Sequence, residues 1–76
     1  MNKQRRNVLA EIRTKLEELY DILEEVKNEE ECCKDNMPEN LQNTERYERM
    51  EEAVDNLESA LSSLEEVIEY IENAEE

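Results

Sequence analysis

Apolar residues recur in alternating steps of three and four through two long stretches of this chain, and that spacing admits little besides paired helices. In the first stretch Leu9, Ile12, Leu16, Leu19, Leu23 and Val26 mark the repeat, which runs on through Glu30 to Cys33. In the second, Tyr47, Met50, Val54, Leu57, Leu61, Leu64, Ile68 and Ile71 do the same. A period of 3.5 residues keeps one seam of an α-helix turned toward a partner helix. With the heptad written abcdefg, Leu9, Leu16, Leu23 and Glu30 take a in the first run, and Ile12, Leu19, Val26 and Cys33 take d. In the second run Val54 and Leu61 take a, and Leu57 and Leu64 take d. The spacing predicts one helix over about residues 4–33 and another over about 45–74, joined by a connector at about 34–44.

The connector carries the punctuation. Pro38 disfavours a helical Met37. Asn36, with Glu39 three residues on, has the pattern of a capping box for one short turn. Asn43 or Thr44 is placed to cap the second helix, and Met37 and Leu41 to plug the open end. A connector this short returns the chain antiparallel to itself. The fold class expected is therefore all-α, an antiparallel two-helix coiled-coil hairpin that forms one domain.

A register follows if a residues meet d residues: Leu9 with Ile71, Leu16 with Leu64, Leu23 with Leu57. The same register sets Arg6 against Glu72, Arg13 against Glu65 and Lys27 against Glu51, with Tyr20 beside Glu58. Each exposed pair contributes only ~0.2–1 kcal/mol, but together they select among registers. The opposite flank carries g residues, which are Val8, Lys15, Ile22 and Glu29 on the first helix and Ala53, Ala60, Val67 and Ala74 on the second. The second helix thus has an apolar face three columns wide, more than one partner covers. Chains below about 80 residues seldom build a sufficient core alone. Val8, Ile22, Ala53, Ala60, Val67 and Ala74 are accordingly the expected self-association surface of a homodimer, a four-helix bundle.

What is missing disfavours catalysis. The chain has no histidine and no glycine, so the commonest general base and metal ligand is absent and no phosphate-binding glycine loop can be formed. Carboxylates abound, but paired-carboxylate chemistry needs two of them in a dry cleft. No enzymatic activity, cofactor or metal is expected. Cys33 falls on the seam as a small hydrophobe, with Cys32 beside it on the outer face. Vicinal cysteines suit a reducing compartment, and no stretch has the length of a membrane span or the character of a signal peptide. A cytoplasmic protein without membrane contact is expected.

Charge is unevenly spread. Residues 1–15 hold five basic residues and one acid, whereas the rest of the chain holds four basic residues and 22 acids, for a net charge of −14. In a hairpin the basic start lies near the acidic end of the second helix, and the two neutralise each other there. Direct nucleic-acid binding is disfavoured, because most of the molecule repels phosphates. The acidic faces have two readings: a solvated surface, or a mimic of nucleic acid that occupies a basic groove. Tyr70, on the polar face, and the carboxylates of Glu58, Glu65, Glu66 and Glu69 are the candidate contacts for a protein partner.

The run Asp35-Asn36-Met37-Pro38-Glu39-Asn40-Leu41-Gln42, followed by Glu45-Arg46-Tyr47-Glu48 and the heptads from Met50, resembles a group of small acidic helical-hairpin proteins of unknown function. Those proteins come from phages and mobile elements of Gram-positive bacteria. The likeness covers nearly the whole chain, with the connector as its most distinctive part. It implies a cytoplasmic accessory protein of a mobile element, acting as a protein–protein interaction module or as an acidic inhibitor of a host defence or DNA-processing protein.

Overall fold

A computed structural model describes all residues, 1–76, and contains two long helices packed against each other and no strand. The first, α1, spans Lys3–Asp35 and the second, α2, spans Glu45–Glu75. Between them lies a single 3₁₀ turn, Glu39–Leu41. The result is an antiparallel hairpin with Cα extents of 59 × 15 × 13 Å.

Each helix end has an identifiable stop or start. Asn2 caps α1, its side-chain oxygen accepting from the Arg5 N–H at 2.8 Å. At the far end Asn36 closes α1 by donating its N–H to the Cys32 carbonyl at 3.0 Å, so it terminates a helix and does not begin the connector turn. Pro38 precedes that turn without any side-chain cap, and the capping box expected at Asn36 and Glu39 does not form. Thr44 caps α2: its Oγ1 accepts from the Tyr47 N–H at 3.3 Å and donates to the Leu41 carbonyl at 2.6 Å. One hydroxyl thereby orients the new helix and ties it to the turn before it. Met37 is half-buried at the closed end, whereas Leu41 stays exposed and plugs nothing.

The interior is thin. Only Val54 and Leu61, both a residues of α2, are buried, at 3% and 7% exposure. On α2 the side facing α1 is the a/d seam, with Tyr47, Met50, Leu57, Leu64, Ile68 and Ile71 half-buried around those two. On α1 the expected seam is not the one used. The half-buried residues are Leu9, Arg13, Leu16, Tyr20, Leu23, Lys27, Glu30 and Lys34, the a and e columns, with Ala10 and Glu31 of the adjoining b column. Ile12, Leu19 and Val26 of the d column are exposed. So is Cys33, which the heptads place in the core. Helix α1 is rolled about its axis by part of a turn relative to the simple heptad reading.

The register differs as well. Arg13 pairs with Glu75, not with Glu65, and Tyr20 lies beside Glu65 and Ile68 instead of Glu58. The shifts are of seven to ten residues, two to three turns of helix. The roll and the shift share a cause. With e turned inward, the long stems of Arg13, Tyr20 and Lys27 lie across α2 while their polar heads reach the edge. The Lys27 ammonium then meets Glu31 of its own helix at 3.6 Å, and Arg49 meets Glu45 at 2.6 Å. Neither the Arg6–Glu72 nor the Lys27–Glu51 pair forms. Glu30 is half-buried and forms no ion pair, and Lys34 approaches Asp35 at 4.0 Å.

Because Arg13 is level with the last turn of α2, the first turns of α1 project past its partner. From Lys3 to Arg13 is ten residues, roughly 15 Å at 1.5 Å per residue, and residues 1–8 are all exposed. Lys3, Arg5 and Arg6 therefore stand beyond the acidic end of α2. The mutual neutralisation expected there rests on Arg13 alone.

Candidate functional site

The roll of α1 creates the most distinctive surface of the molecule. Val8, Ile12, Leu19, Ile22 and Val26 lie 41–56% exposed along one side of α1. Their spacing continues through Lys15, Glu29 and Cys33, so the d and g columns together form a second complete heptad seam. Its centre lies roughly 100° around the helix from the seam that faces α2, given 100° per residue. Helices with two seams at about that angle are those with two helical neighbours. Here one neighbour is present.

The ordering of burial makes the same point. The side chain of Lys27 is 17% exposed, while Leu19 is 55% exposed. Covering a lysine stem and leaving a leucine in water reverses the usual order of burial.

On α2 the adjoining flank holds Ala53, Ala60, Val67 and Ala74. In an antiparallel pair the g columns lie on the same side, so these residues and the second seam of α1 form one continuous face. Ala53 is half-buried; Ala60, Val67 and Ala74 are exposed. All six residues assigned to self-association from the sequence, Val8 and Ile22 included, sit on this face. The sequence reading omitted Ile12, Leu19 and Val26 from it, having placed them in the core. The signal that could have found them is the long amphipathic side chain at every e position of α1, able to cover α2 in their stead.

This flank of α2 is free of acids. The g residues and their outward neighbours Arg49, Asn56, Ser63 and Tyr70 include no carboxylate, although the remaining outward columns carry Glu48, Glu51, Glu52, Asp55, Glu58, Glu65, Glu66, Glu69 and Glu72. Tyr70, 72% exposed, stands at the border of the acid-free strip. The candidate partner contacts are thus not one patch. Glu58 and Glu65 line the edge next to α1, with Glu65 beside Tyr20. Glu66, Glu69 and Tyr70 lie on the outer side. All four carboxylates are exposed and none forms an ion pair.

Comparison with protein-family models, with curated proteins and with solved structures finds no match to this chain. No three His, Cys, Asp or Glu side chains are grouped so as to hold a metal ion, and no helix is long and apolar enough to cross a membrane.

Two polar groups at the hairpin interface are electrostatically distinct. Arg13 donates from Nε to Glu75 at 2.6 Å and from its terminal nitrogens to Glu75 at 3.3 Å and Glu17 at 3.2 Å. These bonds, with Glu75 the stronger partner, hold the guanidinium firmly in its charged form. It is the one ion pair that ties α1 to α2, and its fork geometry fixes the register at that end. Tyr20 is pushed above the ordinary phenol value, first by burial against α2 and then by the nearby charges of Glu65, Glu24 and Asp21, with Lys27 opposing. Its raised folded value means that the hairpin favours the neutral phenol. The stabilisation is present below about pH 10 and is lost as pH rises through the folded value. Subtracting the alkaline absorbance titration of Tyr20→Phe from that of the parent should isolate a phenol titrating above about 10. A difference curve at or below that value would remove Tyr20 from the interface.

Proposed function

We propose that this chain is a non-catalytic protein–protein interaction module, a cytoplasmic accessory protein of the phage or mobile-element kind. The observation that supports this reading most is the second heptad seam on α1, left uncovered while charged side chains fill the first. A hairpin with two buried residues and a full seam in water has more apolar surface to bury by binding. In this reading the outer side of α2, with Tyr70 as an aromatic anchor beside Glu66 and Glu69, docks a protein partner.

A second reading is favoured by one specific feature: Glu58, Glu65, Glu66 and Glu69 are exposed on a long helical rod and none of them forms an ion pair. On this reading they stand in for backbone phosphates and occupy the basic groove of a DNA-handling protein. Salt separates the two. Photo-crosslinkers placed at positions 66 and 70 and activated in producing cells should trap a partner from one site or both. Docking through Tyr70 requires that binding of the trapped protein survive about 0.5 M salt and fail in Tyr70→Ala. Mimicry requires steep loss with salt and failure when the four glutamates become glutamine. Crosslinking no stronger than that of an unreactive control at both positions would overturn the interaction module itself.

A further inference from the structure

We infer that the uncovered face is filled by a second copy of this chain, with α1 of each copy laid along α2 of the other to give an all-antiparallel four-helix bundle. The inference deepens the interaction-module reading and rests on it. Three observations select a second copy. The first is charge. A molecule of net charge −14 meets its own kind best where acids are fewest: the strip of α2 from Arg49 to Ala74 holds none, and the seam of α1 holds one, Glu29, with Lys15.

The second is size at a common level. The register set by Arg13 with Glu75 and by Tyr20 with Ile68 puts Ile12, Leu19 and Val26 within a turn of Ala74, Val67 and Ala60. A two-fold axis running along the rod keeps those levels. Large residues of one copy then enter the gaps left by small residues of the other, as heptad layers require. Laying α1 on its own copy does worse, because its neighbouring column of Glu11, Glu18 and Glu25 would face itself. Across α2 of the partner the same column meets Asn56, Ser63 and Tyr70.

The third is area. A face along a rod of 59 × 15 Å is of the order of the ~800 Å² per partner that stable complexes bury.

Light scattering under reducing conditions, over a dilution series, tests the proposal. The expected mass is about twice 9.1 kDa. Ile22→Glu should weaken the dimer at least tenfold, whereas Ser59→Glu, on the outer side of α2, should leave it unchanged. Should Ile22→Glu lose its helicity, a size swap gives the same information without added charge. Ala60→Leu overfills the layer and weakens the dimer, and adding Val26→Ala restores it. A helical monomer at every concentration would overturn the second copy while leaving the crosslinking test of the interaction module intact. A dimer indifferent to Ile22→Glu and to Ala60→Leu would overturn the face.

Discussion

Leu61→Ala is expected to cost this protein about 2–4 kcal/mol, the usual range for truncating a buried leucine. Leu61 is one of two buried residues, set at an a position midway along α2 on the side that faces α1. A chain of this size has perhaps ~3–5 kcal/mol of core stability, so the loss approaches the whole. Urea unfolding followed by circular dichroism, at one fixed protein concentration, reads it as a fall of about 1–2 M in the midpoint, taking a slope near 2 kcal/mol per molar. A fall of less than about 0.3 M would mean that the hairpin is not held together at this layer.

Val54→Asp is expected to act more severely and to do so with a pH signature. Val54 is the least exposed residue of the chain at 3%. A carboxylate there loses most of its water, because the site is closed against α1. A buried charge left without a partner costs about 3–5 kcal/mol in general. Burial pushes such a carboxyl group above the usual ~3.9. A raised folded value puts the stability of the variant below about pH 3.9 and removes it as pH rises through that value. The variant should be unfolded at pH 7 and regain helix near pH 3, where the parent serves as control for the general loss of charge. Equal helicity of variant and parent at pH 7 would place Val54 outside the interface.

Much of this architecture is legible in the residues alone. The two helices, the stop around Pro38, the Thr44 cap and the a/d seam of α2 all follow from local chemistry that acts within a few residues. The pairing of the helices is a different kind of question. A heptad repeat is self-similar, so sliding α1 by seven residues leaves every a and d residue facing another of its kind. What breaks the tie is a single bidentate contact, Arg13 with Glu75, and Glu65 competes for the same arginine in the sequence reading. The roll of α1 was hidden for a related reason. Its a and d columns are largely apolar and its g column adds Val8 and Ile22, yet only two columns can face one partner. Apolarity cannot say which column turns away when the e column carries side chains as long as Arg13, Tyr20 and Lys27. The self-association residues were legible because Ala53, Ala60 and Ala74 stand out on a helix otherwise lined with glutamate. Ile12, Leu19 and Val26 were not, because a d residue is a core residue until the partner's position is known.

The central claim is that the second seam of α1 has to be covered for the hairpin to reach its full stability, so that folding and association are one equilibrium. The most direct test is the thermal midpoint of the unmodified chain, followed by circular dichroism at 222 nm from about 1 μM to about 500 μM. The account requires the midpoint to climb steadily with concentration, as mass action demands when the folded state is the associated one. A cooperative transition at the same temperature throughout that range would contradict it, and would make the hairpin self-sufficient with its leucines in water.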